Sequence, residues 1–241
     1  MFFDPMYLVF MAPAMILALW AQAKTQRAFS HYSRVGNSAG MTGAEAAARM
    51  LRSQGIDIVA RPEEAKGRKN VAAIVQIGGV LSDHYDPGAK VLRLSPQVYG
   101  GRSLSAVGVA CHEAGHAMQD AHDYAWLGMR TALVPVASFG SWLAMPLILL
   151  GFILTSPNLL LIGILAFSAI VLFQLITLPV EFDASRRAKL ALAELGVISG
   201  PQEARAVATV LNAAAWTYVA AAVSAIMTLL YYLWVFSQSR D

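Results

Sequence analysis

The sequence predicts a mainly α-helical, polytopic membrane protein with about four transmembrane helices and a small α+β part that faces water. Composition is the first observation behind this prediction: 57% of the residues are hydrophobic and only 14% are charged, whereas soluble domains carry about 25% charged residues. The second observation is four apolar stretches, each long enough to cross a hydrocarbon layer of about 30 Å. The third is a His-Glu-x-x-His motif at His112–His116, which lies outside those stretches.

The first apolar stretch covers residues 6–23 and contains Pro13. The residues before it include Asp4 and no Lys or Arg, whereas a secretory signal peptide begins with a positively charged region. We therefore expect a retained transmembrane helix rather than a cleaved signal, and we take residues 1–23 as the first segment.

Residues 24–130 form the main segment predicted to face water, with 13 of the 18 Lys and Arg residues. Thr42 and Glu45 match a capping box, which predicts a short helix after them. Ser103 can cap the motif helix. Between these helices, three runs typical of strands predict a small sheet. The runs are residues 56–60, 71–81 and 91–94.

A transmembrane hairpin is predicted over residues 131–180. A short uncharged turn joins its two apolar arms, residues 131–154 and 158–180, so the chain returns to the side from which it came. The rest of the chain divides into polar helices over 181–212, a fourth span over 213–236 and a tail over 237–241.

The basic residues predict the orientation of the chain. Segments 24–130 and 181–212 together hold 17 of the 18 Lys and Arg residues, and the hairpin puts both segments on one side. The positive-inside rule makes that side cytoplasmic.

The motif predicts a metal site. His112 and His116 lie one turn apart on the same face of a helix, where two imidazoles can bind one Zn²⁺. Glu113 lies about 100° round the helix, from where it can act as a general base on a water molecule at the metal. With five His and seven Glu in the chain, chance gives only about 0.003 such motifs, which disfavours two unrelated surface histidines.

A catalytic zinc ion takes three protein ligands and keeps one position for water. Glu181 is the predicted third ligand, because it follows the hairpin directly and the hairpin brings it back beside the motif helix. Glu194 and Glu203 lie further along the chain and are weaker candidates.

Three more residues are candidates for supporting roles, each with an ordinary alternative. Asp183 can accept a hydrogen bond from a ligand histidine or pair with a neighbouring arginine. His84 can contact substrate or serve as a turn residue. Tyr218 can donate a hydrogen bond to an oxyanion or sit as an aromatic residue at the membrane interface.

Two features exclude other classes of site and partner. Cys111 is the single cysteine, so a disulfide framework and a cysteine-cluster zinc site are excluded, and we expect Cys111 to be a packing residue. The net charge of +3 is small and does not indicate nucleic-acid binding.

Taken together, several stretches of the chain resemble the bacterial membrane-embedded neutral zinc metallopeptidases (zinc peptidase family 2). More distantly, the chain is similar to gluzincin proteases such as the CaaX prenyl proteases and the heat-shock membrane proteases. The stretches that carry the resemblance are residues 37–45 (NSAGMTGAE), 83–87 (DHYDP), 90–95 (KVLRLS), 112–116 (HEAGH) and 178–188 (LPVEFDASRRA).

The resemblance implies a zincin-like cytoplasmic part in a protein of the bacterial inner membrane, with one zinc ion per chain. It implies that His112, His116 and Glu181 bind the zinc ion and that Glu113 is the base. Substrates would be peptides or proteins associated with the membrane, and lipid and other membrane proteins are expected neighbours. The wider gluzincin group has Glu-x-x-x-Asp as its second motif, and this chain departs from it with Ser185 in place of the Asp.

The function predicted is therefore a membrane-bound zinc endopeptidase. The alternative is a membrane scaffold or partner-binding protein that keeps a structural metal site. A structural site is closed by a fourth protein ligand, and the sequence offers no clear fourth candidate.

Overall fold

The computed structural model describes residues 5–79 and 82–239 of the chain. Within these residues the fold is mainly helical, with one small sheet, which confirms the predicted fold class. The helices are α1 (Pro5–Tyr32), α2 (Gly43–Ser53), α3 (Pro62–Ala65), α4 (Pro96–Tyr99), α5 (Leu104–Ala121), α6 (Ala125–Ile153), α7 (Pro157–Glu194) and α8 (Gly200–Gln238). The strands are β1 (Asp57–Val59), β2 (Val71–Gln76), β3 (His84–Asp86) and β4 (Val91–Leu94).

Four of the described helices, α1, α6, α7 and α8, are long and apolar enough to cross a membrane. They contain the four predicted spans, but two of them extend well beyond the predicted bounds. Helix α1 continues to Tyr32, and α7 continues through Pro179 to Glu194 instead of ending near residue 180. Pro179 removes one backbone donor but does not end the helix, because Val180, Ala184 and Ala188 after it are fully buried on one face.

The chain divides into two compact units, which we call the apolar unit and the charged unit. The apolar unit comprises Met1–Gln22, Gly128–Pro179 and Trp216–Asp241, and the charged unit comprises Ala23–Leu127 and Val180–Ala215.

In the apolar unit, glycines let α6 and α7 approach closely. A Cβ atom on Gly163 would lie 2.9 Å from the backbone nitrogen of Ile148, and one on Gly140 would lie 2.6 Å from the carbonyl oxygen of Ala166. Small residues at such contacts are typical of helices that pack within a bilayer, where close backbone approach supplies the attraction. Large side chains on the same helices are exposed, including Trp142 and Leu165, as expected of a surface that faces lipid.

The charged unit contains the sheet, with strand order β1-β2-β4-β3. Strands β1, β2 and β4 are parallel, and β3 pairs with β4 in the antiparallel direction at the end of the sheet. The predicted capping box is present at the start of α2, where the Glu45 side chain accepts from the Thr42 backbone at 2.7 Å. Apolar residues of α2, α5 and the sheet, such as Met50 and Leu92, share one core.

Two predictions for the sheet region need correction. The strand predicted over 71–81 ends at Gln76, and its last two residues, Val80 and Leu81, lie outside the described residues, as do 1–4 of the first segment and 240–241 of the tail. His84, considered as a turn residue, begins the edge strand β3, opposite Arg93 of β4. A strand of three residues next to Pro87 is too short to give a recognisable pattern in the sequence.

The motif helix α5 begins after Ser103, whose side chain accepts from the backbone N–H of Ala106 at 3.2 Å. This confirms the predicted cap. Most of α5 is buried, as its small and apolar residues predict. Its C-terminal end is tied to the edge strand through Asp120, which accepts from the Tyr85 hydroxyl at 2.6 Å and from Lys90 Nζ at 2.5 Å. The position of β3 is thereby fixed relative to the helix that carries the motif.

Candidate metal centre

Three potential ligand side chains converge in the charged unit. His112 and His116 come from α5 and Glu181 comes from α7, and one ligand atom of each lies within 4.8 Å of the others. Glu181 Oε2 lies 3.2 Å from His112 Nε2 and 3.5 Å from His116 Nε2. All three side chains are largely buried, with Glu181 only 2% exposed. The arrangement leaves both Nε2 atoms and a carboxylate oxygen directed at one point.

A glycine inside the motif permits this convergence. A Cβ atom on Gly115 would lie 2.7 Å from the carbonyl oxygen of Ala184 on α7, closer than real Cβ contacts occur. Any larger residue at 115 would therefore push α7 away from α5. Since Glu181 lies one turn before Ala184 on the same helix, the close approach brings its carboxylate to the two histidines.

The second ring nitrogen of each histidine also has a partner. His116 Nδ1 lies 3.0 Å from Gln119 Oε1, which can only accept, so Nδ1 carries a proton and Nε2 is the ring nitrogen that faces Glu181. His112 Nδ1 lies 3.1 Å from Ser185 Oγ. Partners of this kind fix the orientation of metal-binding imidazoles. Ser185, the position at which this chain departs from the Glu-x-x-x-Asp motif, thus contacts a candidate ligand directly.

Gln119 connects the histidine to α7. Its amide nitrogen donates to the carbonyl oxygen of Val180 at 2.8 Å and to Asp183 Oδ2 at 3.0 Å. Asp183 also accepts from Arg187 Nε at 2.5 Å and from Arg186. Asp183 therefore takes the role of pairing with the arginines. It accepts from Gln119 rather than from a ligand histidine, so it is connected to His116 through one intermediate residue.

The charges around His116 favour a cation at this point. Burial by itself lowers the pKa of His116, but the hydrogen bond and charge of Glu181, the charge of Glu113 and the bond with Gln119 outweigh burial and raise it. Glu113, whose charge is one of these contributions, is itself buried. Two carboxylates beside two imidazoles suit a divalent metal ion, whose charge they would balance.

The donor set fits zinc. Imidazole nitrogen and carboxylate oxygen are zinc ligands, and three protein ligands are typical of catalytic zinc sites. Among the described residues, the group of candidate His, Cys, Asp and Glu ligands at this point has three members, so a fourth protein ligand of the kind that closes a structural site is not among them.

Three of the remaining candidates, His84, Glu194 and Glu203, are not members of this group of ligand side chains. His84 is exposed on β3, with Nδ1 2.8 Å from the carbonyl oxygen of Ser82. Tyr218 belongs to the apolar unit. Glu194 is exposed at the end of α7, and Glu203 binds Ser38 and the backbone of Ser199.

Cys111, next to the first motif histidine, packs in the core of the charged unit and is 1% exposed. Burial raises the pKa of its thiol well above the usual range, so the thiol stays protonated at neutral pH and behaves as a small apolar group. This confirms the packing role predicted for Cys111.

Sequence reasoning missed Gln119 as part of the centre. The signal was present, because Gln119 is three residues after His116 on the same helix and therefore on the same face. A fully buried glutamine near the end of an otherwise apolar helix needs partners, but only the folded chain shows that these partners are His116, Val180 and Asp183.

Residues 7–237 match the model of a family described as "Putative neutral zinc metallopeptidase". The chain belongs to this family. It is 45% identical over 229 residues to the "Putative membrane protease YugP" of Bacillus subtilis, covering 95% of each chain. No solved structure matches this chain significantly. The family resemblance inferred from the motifs is confirmed.

Replacing Glu181 with Ala should remove one of three ligands. We expect the affinity for zinc to fall by more than about 100-fold, because losing only a hydrogen-bond partner of a ligand already costs about 10–100-fold. The affinity is measured by metal analysis of the purified protein and by competition with a chelating dye. Glu194→Ala, an exposed change on the same helix, should bind zinc as the unaltered chain does. Full zinc retention in Glu181→Ala would show that Glu181 is not a ligand.

Replacing Gln119 with Met keeps a long side chain but removes the acceptor of His116 Nδ1. We expect zinc affinity to fall by about 10–100-fold, with a melting temperature measured alongside to confirm folding. The exposed Gln202→Met serves as control. An unchanged affinity in folded Gln119→Met would mean that the hydrogen bond does not orient His116 for the metal.

Proposed function

We propose that this protein is a membrane-bound, zinc-dependent endopeptidase that hydrolyses peptide bonds of membrane or membrane-proximal proteins. The observation that carries the proposal is the convergence of His112, His116 and Glu181 on one point, with the buried Glu113 next to His112 on the same helix. This is the His-Glu-x-x-His plus Glu ligand set of gluzincin-type peptidases, and membership of the family supports it.

His112 Nε2, His116 Nε2 and a carboxylate oxygen of Glu181 would hold one zinc ion per chain. When bound there, zinc supplies a Lewis acid that makes water a better nucleophile at neutral pH and polarises a carbonyl group. Gln119 and Ser185 hold the two imidazole rings in the orientation that presents Nε2 to this point.

Glu113 would move the proton. Its carboxylate oxygen accepts a proton from the attacking water and then donates it to the nitrogen of the leaving amine, so one residue serves as base and then as acid. Because Glu113 is 8% exposed, bulk water competes little with the reacting molecule for its carboxylate.

The sheet offers a place for an extended peptide. Strand β3 is the end strand of the described sheet and runs antiparallel to β4, and an end strand can bind a peptide by main-chain hydrogen bonds. The contacts of Tyr85 and Lys90 with Asp120 tie this region to α5. We infer that β3 positions the substrate, with exposed His84 as a candidate contact.

The alternative function, a scaffold that retains a structural metal, is less well supported. A structural site needs a fourth protein ligand, and the described residues contribute three. A scaffold also gives no reason to bury the carboxylate of Glu113 beside the ligands.

We also propose that the charged unit faces the cytoplasm and that the protein resides in the bacterial inner membrane. Segments 24–130 and 181–212 carry 17 of the 18 Lys and Arg residues, and the positive-inside rule assigns such segments to the cytoplasmic side. The relative from Bacillus subtilis is named a membrane protease, which agrees with a membrane location.

Glu113→Gln tests the mechanism. The amide cannot accept the proton, so we expect kcat for a peptide substrate to fall by at least about 100-fold, while one zinc ion per chain is retained. The exposed Glu63→Gln should leave both kcat and zinc content unchanged. A Glu113→Gln protein with full activity would refute the assignment of Glu113 as the base.

The orientation can be tested by cysteine labelling in a Cys111→Ser background. Ser156→Cys, in the hairpin turn, should react with an impermeant thiol reagent in intact cells, whereas Gln54→Cys, exposed in the charged unit, should react only after lysis. The opposite labelling pattern would reverse the proposed topology.

A further inference from the structure

A second site stands out in the charged unit, away from the metal ligands. It is a cavity of about 510 Å³ whose lining includes none of His112, His116 and Glu181. Ligand-binding clefts are commonly about 300–1,000 Å³, so the cavity is large enough for a small polar molecule or headgroup. The proposed peptidase reaction makes no use of it.

The lining of this cavity is polar and positively charged. Arg34 and Arg102 both line it, together with Ser33, Ser103 and Gln97, and no Asp or Glu is part of the lining. A guanidinium group presents several N–H donors in a planar fork that matches the oxygens of a phosphate group. The Gln97 amide adds a neutral donor to the same space, whereas the Ser33 hydroxyl already donates to the carbonyl oxygen of Ser30 at 2.9 Å.

The carboxylate of Glu45, whose charge acts on Arg102, is hydrogen-bonded at the start of α2. Glu45 interacts with Arg102 electrostatically, but its carboxylate caps α2 by accepting from the Thr42 backbone at 2.7 Å. Arg102 donates to the neutral carbonyl oxygen of Gly40, and the charge of Glu45 acts on it from outside the cavity lining. The cavity therefore combines two cationic side chains with no anionic group in its lining.

The walls of the cavity are held in place by backbone contacts. Gly36 pairs with Ser103 in an isolated antiparallel bridge, and the backbone N–H of Leu104 donates to the carbonyl oxygen of Val35 at 2.8 Å. The buried Asn37 side chain donates to the carbonyl oxygen of Arg102 at 2.5 Å. A site whose frame is already formed loses less conformational freedom when a ligand binds.

We propose that this cavity binds a phosphate-bearing anion, and specifically the phosphate of an anionic phospholipid headgroup. Two features favour the headgroup over free phosphate. The cavity is far larger than a phosphate ion requires, and one wall is the apolar side chain of Phe29. Phe29 belongs to α1, the helix that contains the first candidate membrane span, and Arg34 follows two residues after its end.

The test uses the purified full-length protein in neutral detergent and native mass spectrometry to measure binding of phosphatidylglycerol, with phosphatidylcholine as the zwitterionic comparison. Replacing both Arg34 and Arg102 with Gln should weaken phosphatidylglycerol binding by about tenfold or more, since each removed contact is a hydrogen bond between charged groups. Phosphatidylcholine binding should be unchanged by the same substitutions.

A matched control removes two positive charges elsewhere in the charged unit. Arg27→Gln with Arg52→Gln should keep phosphatidylglycerol affinity within about twofold, because general attraction between separated surface charges is weak and screened. The single variant Arg34→Gln, which leaves the contact of Arg102 with Gly40 intact, should also lose affinity. Zinc content and melting temperature establish that each variant is folded.

Titration with inorganic phosphate distinguishes a phospholipid headgroup from free phosphate as the ligand of this cavity. Displacement of phosphatidylglycerol by millimolar phosphate, lost in the double variant, would support one shared site for the headgroup. If phosphate binding depends on the two arginines but phosphatidylglycerol binding does not, the site binds free phosphate and not the lipid headgroup. Equal binding of both probes by the unaltered chain and the double variant would overturn the proposal.

Discussion

The structure of the charged unit depends on the burial of two imidazoles and a carboxylate side by side. Taking such groups out of water is costly unless every polar atom finds a partner. His112, His116 and Glu181 meet this requirement through one another and through Gln119 and Ser185. The packing of α5 against the second half of α7 follows from it, because no looser arrangement would satisfy these groups.

Small residues make the arrangement sterically feasible. Gly115 lies inside the motif and faces Ala184, so the two helices approach to a distance that no side chain at 115 would allow. Gly115, one of the two unspecified positions of the motif, is therefore needed for the centre to form. Glycines allow close helix packing in the apolar unit as well, where Gly140 and Gly163 let α6 and α7 approach each other.

Ser185, where this chain differs from the gluzincin proteases that it distantly resembles, has a defined contact in the structure. Ser185 stands where the wider group has Asp, and its hydroxyl contacts Nδ1 of His112. A carboxylate is nevertheless connected to the other histidine, since Asp183 binds Gln119, which binds His116. The chain therefore supports its two imidazoles with a hydroxyl and an amide, and the acidic group lies one contact further out, where Arg186 and Arg187 balance its charge.

The sequence by itself determined the four long apolar helices, the capped helices α2 and α5, and the pair His112 and His116. Each of these depends on interactions between residues close in the chain, namely helical periodicity, caps and runs of apolar residues. Tertiary structure alone decided that α7 continues through Pro179, that His84 belongs to an edge strand, and that Gln119 bridges His116 to α7. These features depend on contacts between residues that are separated in the chain, such as Gln119 and Asp183, 64 positions apart, and such contacts leave no periodic trace in the sequence.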